Sequence, residues 1–443
     1  MCGIAGFIDY KKETNKDTLT LMTDVLAHRG PDDKGYEVYT CEKASVGLGH
    51  RRLSILDLSS LGHQPMEYGD WSIVFNGEIY NFGEIKIELQ EKYSIDFKSH
   101  ADTEVIIHAF DRWGIASVDK FNGMFAFVIF NKKTNEVYCV RDRAGVKPLY
   151  YYQSGELFLF SSELKSFHQH PKFEKSINPD VLGLYFQYGY IPSPYSIFEK
   201  VKKVSPGAYL YINLNNNTLE EKKYWDIVEV YNQPKLSINI EDAISETENL
   251  LKSAFKYRLI SDVPVGIFLS GGYDSAAVAG LLQSEHSEKL KTFTIGFEDN
   301  AYDEAPFAKK VADYLGTEHH EYYCTEKDAL EIIPTLSEIY DEPFADSSAI
   351  PTILVSKIAA KDVTVVLSAD GGDEAFGGYT RYTSYISNYY KLCKIPKPFR
   401  TLISAGSFLN LGKSFKNLGV INSKYNYNQL IEILSGEDRK SVV

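Results

Sequence analysis

The second residue of the chain is a cysteine that directly follows the initiator methionine. A residue as small as Cys2 normally permits removal of Met1, so we expect the mature chain to begin with a thiol. An amino-terminal cysteine carries its own base, because its α-amine has a pKa of about 7.7 to 8.0 and can take the thiol proton. Cys2 is therefore a candidate nucleophile that needs no histidine. Taken alone, it is better explained as one of five free cysteines that happens to lie near the start.

Three further segments of the first half carry polar groups suited to an amide substrate. Arg52 offers a guanidinium fork that matches a carboxylate, and Asn76-Gly77 offers an amide and a backbone N–H for an oxyanion. The carboxylate of Asp102 can hold a substrate ammonium. Each also has a structural explanation: Arg52 as a surface charge, Asn76-Gly77 as a hairpin turn, and Asp102 as a helix cap.

A glycine-rich turn in the second half is a candidate anion site. Ser270-Gly271-Gly272 ends an apolar strand and continues through Asp274 and Ser275 into an alanine-rich helix. Glycines let the backbone approach a phosphate, and the helix start adds N–H donors. The turn has neither the Gly-Lys-Ser/Thr of a Walker loop nor a Gly-x-Gly-x-x-Gly pattern. The alternative is a tight turn without a ligand.

A second turn, Ser368–Tyr379, is rich in both glycine and acidic residues. Carboxylates at the carboxyl end of a strand, beside a phosphate site, are placed to hold Mg²⁺, which prefers oxygen ligands. The alternative explanation for Asp373 and Glu374 is favourable charge at the start of a helix.

The elements that must position these groups change character near residue 230. Before it, short apolar runs alternate with amphipathic helices, which predicts a mixed α+β fold. The predicted strands are Val46–Gly49, Trp71–Phe75, Met124–Phe130, Val137–Val140 and Leu157–Phe160, and the predicted helices are Thr18–Ala27, Phe82–Tyr93 and Thr103–Trp113.

After residue 230, strands alternate with helices, which predicts an α/β fold with a parallel sheet. The predicted strands are Val263–Leu269, Thr292–Phe297 and Val363–Leu367, and the predicted helices are Ser275–Gln283, Ala305–Leu315 and one near Pro351–Ala360. We predict domains at 1–205 and 241–443, joined by a hairpin or linker at 206–240.

Composition excludes several classes of protein. The net charge of −13 disfavours nucleic acid and anionic lipid as partners. No apolar run approaches the roughly 18 residues of a membrane span. The five cysteines form no Cys-x-x-Cys pair, which argues against disulfides and structural zinc. The start lacks the features of a secretory signal, so we expect a cytoplasmic protein.

The first half resembles the class-II, amino-terminal-nucleophile glutamine amidotransferase domain, an αββα sandwich. The matching segments are Met1–Gly6, His28–Asp32, His50–Ile55, Phe75–Asn81, Ala101–Glu104 and Arg141–Tyr150. The resemblance implies that Cys2 attacks the amide of glutamine, with Asn76 and Gly77 as the oxyanion hole. It implies that Arg52 binds the α-carboxylate, that Gly77, Glu78 and Asp102 hold the amino end, and that Leu53 and Ile55 complete the glutamine site. The products are glutamate and ammonia.

The second half is similar to the synthetase domain of glutamine-dependent asparagine synthetases, within the ATP pyrophosphatase superfamily. Besides the two turns, Tyr302-Asp303-Glu304 and Gly316–His320 match. The resemblance implies pyrophosphate contacts from Ser270, Gly271, Gly272, Asp274 and Ser275, and nucleotide contacts from Phe268, Ile295, Ser368 and Ala369. Asp274 and Asp373 would face Mg²⁺, and Asp370 would help to position the acyl-adenylate. We favour a structural role for His319-His320.

The two resemblances together imply an ATP-dependent carbon–nitrogen ligase. Aspartate is adenylated with release of pyrophosphate, and ammonia, carried inside the protein through a tunnel, displaces AMP to give asparagine. Two alternatives stay open: another carboxylate acceptor, such as a uronic acid in surface-polysaccharide assembly, and a glutaminase-only remnant or sensor. The family usually continues through a Glu-x-Arg-Val-Pro-Phe-Leu-Asp segment and a later lysine that contacts ATP, and neither is present here. If the ATP phosphates need that lysine, we expect this chain to hydrolyse glutamine but to turn over ATP very slowly. The oligomeric state stays open, with a homodimer as one option.

Overall fold

The computed structural model describes residues 1–298, 303–380, 382–384, 386, 387 and 394. Tyr302 of the predicted motif, and most of the predicted second domain beyond residue 380, lie outside the described residues. No helix in the described part of the chain is long and apolar enough to cross a membrane.

Residues 1–223 contain two six-stranded sheets in which every neighbouring pair of strands is antiparallel. The strands are β1 Gly3–Asp9, β2 Asp33–Thr40, β3 Ser45–Arg52, β4 Met66–Tyr68, β5 Trp71–Ile79, β6 Gly123–Asn131, β7 Glu136–Arg141, β8 Tyr150–Ser154, β9 Leu157–Ser161, β10 Val201–Lys203, β11 Ala208–Asn213 and β12 Thr218–Lys223. The first sheet has the order β10-β8-β9-β1-β3-β2, and the second β12-β11-β7-β6-β5-β4.

Helices cover the outer faces of the two sheets and both faces of a third sheet in the second half. In chain order, all the α-helices of the described residues are α1 Lys16–Asp24, α2 Phe82–Tyr93, α3 Asp102–Trp113, α4 Pro179–Tyr188, α5 Ile227–Tyr231, α6 Ile240–Arg258, α7 Tyr273–Glu285, α8 Ala305–Leu315, α9 Glu326–Ile332, α10 Leu336–Ile339, α11 Ala349–Ala359 and α12 Gly372–Phe376. Asn239 caps the longest of them, α6, by accepting a hydrogen bond from the N–H of Asp242.

The core of the first half has three layers, set by the two-residue period of the strands. In β6, Ala126, Val128 and Phe130 face the layer between the sheets. The alternate residues Phe125 and Phe127 pack in the layer under α2 and α3. The third layer lies between the first sheet and helices α1 and α4. This arrangement is an αββα sandwich and confirms the predicted α+β fold.

The second half contains a parallel sheet with the order β15-β14-β13-β16. Its strands are β13 Val265–Phe268, β14 Lys291–Phe297, β15 Glu318–Cys324 and β16 Val365–Leu367. Helices α7 and α8 pack with Ile267 and Leu269 in one cluster, and α11 packs with Phe293 in another. The predicted α/β fold is confirmed.

The segment predicted as a connection, 206–240, contains the hairpin β11–β12. Strand β11 pairs with β7 of the second sheet, so the hairpin extends that sheet instead of linking two bodies. Alternate residues Ala208, Leu210 and Ile212 are buried, which explains why the strand joins the core. The domain limits at 205 and 241 stay a prediction.

Candidate active sites

Every residue predicted for the glutamine site lines one cavity of about 50 Å³. Cys2 lies just before β1, and Leu53 lies just after β3, the neighbouring strand. The backbone N–H of Leu53 donates to Cys2 Sγ at 3.4 Å. Burial raises the pKa of the Cys2 thiol, and the Leu53 N–H partly opposes this effect. The thiol therefore needs a base at neutral pH. The predicted residues that line the cavity are Cys2, Arg52, Leu53, Ile55, Asn76, Gly77, Glu78 and Asp102.

Met1 also lines this cavity. Its sulfur lies 3.3 Å from Lys147 Nζ. Burial lowers the pKa of the Met1 α-amine to about 6. The charge of Cys2 opposes this effect, and the charges of Arg29 and Lys147 add to it. The α-amine of Met1 is therefore largely neutral at pH 7.

Arg52 is buried, so it is not the surface charge that the sequence left open. Its guanidinium donates to the backbone oxygens of Ser59 at 2.9 Å and Leu56 at 3.1 Å, and also to that of Asp57. A guanidinium has five N–H groups, so these three bonds to described residues leave two for a substrate carboxylate. A Cβ at Gly62 would lie 2.0 Å from Arg52 Nη2, so that position must be glycine for the guanidinium to fit.

Asn76 and Gly77 lie within β5, paired with Ala126 and Phe125 of β6, and the hairpin-turn alternative is wrong. Both polar side-chain atoms of Asn76 are buried and have no hydrogen-bond partner among the described residues. A buried unpaired amide costs about 1 to 3 kcal/mol, so its presence in the cavity points to a polar ligand. A Cβ at Gly77 would lie 2.2 Å from the carbonyl oxygen of Met124, which explains the glycine by the close approach of β6.

Glu78 and Asp102 form an acidic pair in the cavity. Burial raises the pKa of Asp102 to about 7, although the Ile79 N–H donates to its carboxylate at 2.9 Å. Burial, together with the charge of Asp102, also raises the pKa of Glu78 well above its usual value. The helix-cap explanation does not fit, because Ala101 is the capping residue of α3 and Asp102 bonds to β5. An ammonium between the two carboxylates would relieve their repulsion.

Among the residues that line the cavity, three with polar side chains were not predicted as site residues: Lys147, Gln64 and Thr103. Lys147 ends a loop fixed by Asp142, whose carboxylate accepts from the N–H groups of Val146 and Lys147, each at 2.9 Å. The Arg141–Tyr150 motif was the available signal for Lys147. Gln64 bridges the Phe75 N–H, at 2.7 Å, and the Thr103 hydroxyl, at 3.1 Å, and no sequence pattern pointed to it.

The second candidate site is a cleft of about 1770 Å³ at the carboxyl ends of β13, β14 and β16. Ligands of open α/β sheets bind at this edge. All but one of the residues predicted for ATP, Mg²⁺ and the adenylate line it: Phe268, Ser270, Gly272, Asp274, Ser275, Ile295, Ser368, Ala369, Asp370 and Asp373.

Gly271 is the exception, because it does not line the cleft. A Cβ there would lie 2.6 Å from Phe307 Cβ of α8, so packing explains this glycine. Gly272 is the N-cap residue of α7. The space beside its Cα is open, because an added Cβ would meet only Ser270 Oγ, at 3.3 Å. Ser275 closes the turn, accepting the Ser270 N–H at 3.0 Å. The open side of Gly272 is thus the part of the turn that can receive a phosphate.

Two predicted metal ligands, Asp274 and Asp373, flank the same glycine. A Cβ at Gly372 would lie 2.3 Å from Asp274 Oδ2, and Asp373 is the next residue along the chain. Two carboxylates that face a phosphate site match the oxygen ligands of Mg²⁺, which takes its remaining ligands from phosphate and water. Within the described part of the chain, no cluster of three or more protein ligands exists for a metal.

The described residues that line the cleft include no lysine, arginine or histidine. They include six carboxylates: Asp274, Glu298, Glu304, Glu326, Asp370 and Asp373. ATP binding here requires positive charge from a bound cation or from other parts of the protein.

His319 and His320 have structural partners. His319 Nδ1 lies 2.8 Å from Thr292 Oγ1, and His320 stacks on Phe293 with ring centroids 5.0 Å apart. These contacts fit the structural role that we favoured.

Known proteins resemble both halves of the chain. A family model described as a glutamine amidotransferase domain matches residues 1–225, and one described as asparagine synthase matches residues 246–430. A putative glutamine-hydrolyzing asparagine synthetase 2 of Methanocaldococcus jannaschii is 44% identical over 441 residues, which are 94% of this chain and 82% of that protein. The glutamine-hydrolyzing asparagine synthetase 1 of Bacillus subtilis is 35% identical over 393 residues, or 87% of this chain and 60% of that protein.

Among solved structures, the glutamine phosphoribosylpyrophosphate amidotransferase of B. subtilis overlaps 72% of this chain and 65% of its own, with 18% identity and a TM-score of 0.38. This likeness is too low to add to the family models. The family models and the curated relatives confirm the two resemblances drawn from the motifs. The chain spans about four fifths of the archaeal relative and three fifths of the Bacillus one.

Proposed function

The chain belongs to the family of glutamine-hydrolysing asparagine synthetases, and on this premise we propose that it transfers the amide nitrogen of glutamine to an ATP-activated carboxylate, with aspartate as the acceptor. The observation that carries the proposal is that one chain contains both a cavity around Cys2 and a cleft around the Ser270–Ser275 turn.

In the first half-reaction, Cys2 hydrolyses glutamine. After removal of Met1, the α-amine of Cys2 takes the thiol proton, and the thiolate attacks the carboxamide carbon. Asn76 Nδ2 and the Gly77 N–H donate to the oxyanion, the C–N bond breaks with protonation of the nitrogen, and ammonia leaves. Water then hydrolyses the thioester to glutamate. The unpartnered amide of Asn76 supports its role as an oxyanion donor. The partly free guanidinium of Arg52 supports binding of the α-carboxylate of glutamine.

In the second half-reaction, the acceptor carboxylate attacks the α-phosphorus of ATP. Pyrophosphate leaves, an acyl-adenylate forms, and ammonia displaces AMP. The open side of Gly272 and the start of α7 hold the pyrophosphate, while Ser368 and Ala369 contact the nucleotide. Ser368 Oγ donates to Asp370 Oδ2 at 2.7 Å and so orients the carboxylate that faces the adenylate. Mg²⁺, held by Asp274 and Asp373, would supply positive charge for the phosphates.

Ammonia must travel from the cavity to the cleft. A groove joins Arg52 and Leu53 of the glutamine site to Val263 and Thr364 of the second half. Val263 and Thr364 precede β13 and β16, whose other ends reach the cleft. At about 3.3 Å per residue, the seven steps from Val263 to Ser270 span at most about 23 Å. We take the course of these strands as the direction of the passage.

A glutaminase-only function is the second candidate. It is favoured by the excess of carboxylates, and by the absence of basic side chains, among the described residues of the ATP cleft. The cytoplasmic location, the homodimer and the individual site roles stay predictions.

The test is an assay of the purified chain with amide-¹⁵N-glutamine, MgATP and a panel of acids that includes aspartate and a uronic acid. We expect ¹⁵N-asparagine together with AMP and pyrophosphate. Labelled uronamide instead of asparagine would assign the other acceptor. Glutamate formation without pyrophosphate release for any acid would leave the glutaminase-only function.

A further inference from the structure

A line of charged groups connects the peptide group of Cys2 to the second half of the chain. Arg29 Nε donates to the Cys2 carbonyl oxygen at 2.8 Å, and Arg29 Nη1 donates to Glu163 Oε1 at 2.7 Å. Lys165 Nζ lies 3.0 Å from Glu163 Oε2 and 3.4 Å from Asp341 Oδ1. The line therefore begins at the proposed nucleophile and ends at a carboxylate of the ATP-binding half.

The four side chains in this line are largely shielded from water. Their exposed fractions are 9% for Arg29, 15% for Glu163, 20% for Lys165 and 13% for Asp341. Burial would raise the pKa of Glu163, but its hydrogen bonds with His28 and Arg29 outweigh burial and lower it to about 2. Glu163 is therefore ionised throughout the neutral range. Interactions between such shielded charges are stronger than those between surface ion pairs and are less screened by salt.

Asp341 begins a segment that contacts the first half of the chain and also lines the ATP cleft, which we call the bridging segment (residues 341–348). On one side, Asp341 accepts the Lys165 N–H at 3.3 Å, and Glu342 accepts the Ile197 N–H at 2.8 Å. Glu342 also pairs with Lys203 at 2.7 Å. On the other side, Ser347 and Ser348 line the ATP cleft.

We propose that Asp341 is a positioning residue for Cys2, so that the ATP-binding half completes the site that hydrolyses glutamine. The inference rests on the proposed function, because it assumes that Cys2 attacks glutamine. Asp341 holds Lys165, Lys165 holds Glu163, and Glu163 fixes the arginine that holds the Cys2 carbonyl. A small displacement of a nucleophile lowers the rate strongly.

Loss of the Asp341 charge is expected to change activity without unfolding the protein. Burial raises the pKa of Asp341, with Lys165 opposing the effect, so ionisation of this carboxyl is disfavoured in the fold. An amide at this position avoids the desolvation cost of the charge and can still accept the Lys165 N–H. Asp341→Asn therefore separates the proposed positioning from a general loss of stability.

The experiment measures glutamate formation by full-length Asp341→Asn. We expect kcat to fall about three- to tenfold, the glutamine KM to stay within about twofold, and the melting temperature to stay unchanged. Asp341→Glu, which keeps the charge, is expected to recover part of the rate. Glu338→Gln is the matched control: it removes one charge from the same region, but Glu338 is exposed and contacts Lys165 only through its backbone oxygen, at 2.9 Å. It is expected to hydrolyse glutamine at the wild-type rate.

A double variant tests whether Asp341 acts through Lys165. If it does, Asp341→Asn combined with Lys165→Gln lowers kcat no further than Lys165→Gln alone. Full additivity of the two effects, wild-type hydrolysis by Asp341→Asn, or equal losses in Asp341→Asn and Glu338→Gln would overturn the inference. An inactive wild-type enzyme would overturn the proposed function and this inference with it, whereas an active wild type with an equally active Asp341→Asn variant would overturn the inference alone.

Discussion

The unpaired amide of Asn76 is a feature that the reaction explains better than the fold does. Its side chain is buried without a hydrogen-bond partner among the described residues. We predict that Asn76→Ala lowers kcat for glutamine hydrolysis by about a hundredfold or more, as loss of one oxyanion donor does in other enzymes. Because an unsatisfied group is removed, the free energy of unfolding should fall by less than about 1 kcal/mol.

Ser117 provides the matched control for this variant. Its hydroxyl is likewise buried and unpartnered within the described part of the chain, but it does not line the cavity. Ser117→Ala should keep full hydrolysis in the steady-state assay. Equal kinetics for Asn76→Ala and the wild type would remove Asn76 from the oxyanion hole.

Cys2 separates the two half-reactions. We predict that Cys2→Ala abolishes glutamine hydrolysis and leaves ammonia-dependent synthesis intact, because the thiol serves only the first step. Cys41→Ala, at another partly exposed cysteine, is the control and should keep both activities. Equal loss of both activities in Cys2→Ala would contradict the assignment of Cys2 to glutamine hydrolysis alone. Detection of Met1 in the active protein by mass spectrometry would contradict the role of the Cys2 α-amine as the base.

Asp102 gives a pH dependence with a defined sign. Burial raises its pKa to about 7 in the folded state, while an unfolded aspartate titrates near 4, so the folded state binds more protons between these values. The contribution of Asp102 to the free energy of unfolding is therefore most favourable at low pH and decreases as the pH rises from about 4 to 7. We predict that Asp102→Asn gains stability relative to the wild type across this window, by at most about 1.4 kcal/mol per pH unit. Urea unfolding at several pH values measures the difference; a constant difference would contradict the shifted pKa.

At the scale of elements, glycines in one turn serve different purposes. Gly272 has an open side toward the cleft, whereas a Cβ at Gly271 would meet Phe307 Cβ at 2.6 Å. We predict that Gly272→Ala keeps the melting temperature and weakens ATP binding about tenfold, because the methyl group occupies the phosphate position. Gly271→Ala should instead destabilise the fold by about 1 to 3 kcal/mol through overpacking. Calorimetric titration and thermal melting separate the two; the reverse pattern would assign the phosphate contact to Gly271.

The strands and the two sites differ in how far the sequence could predict them. Strand β6 was predictable from its continuous apolar run, because both of its faces are buried. Strand β15 was missed, since it lies at an edge of the described sheet and is largely polar. All the site residues that the motifs predicted, except Gly271, line one of the two sites. The motifs could not show that Gly271 packs against α8, or that Asp142 brings Lys147 into the cavity, since both depend on contacts between separate elements.

At the scale of the whole molecule, the two halves meet beside the glutamine site. Asp262 donates its backbone N–H to the Ile55 oxygen at 3.0 Å and accepts the Asp57 N–H at 2.8 Å. Ile55 lines the cavity, and Val263, the next residue after Asp262, lines the groove between the halves. This contact holds the start of the proposed ammonia passage against the cavity that releases ammonia.

A larger side chain at Val263 tests the passage. We predict that Val263→Phe hydrolyses glutamine at the wild-type rate but forms less amide product per glutamate, because ammonia escapes before it reaches the cleft. Synthesis from added ammonium should be unchanged, since that ammonia enters from solvent. Ile260→Phe, three residues earlier and outside the groove, is the matched control and should keep the wild-type ratio. Product and glutamate measured in the same reaction give the ratio. A wild-type ratio in Val263→Phe would place the passage elsewhere, and a parallel loss of ammonium-dependent synthesis would mean that the substitution distorts β13 instead of blocking a path along it.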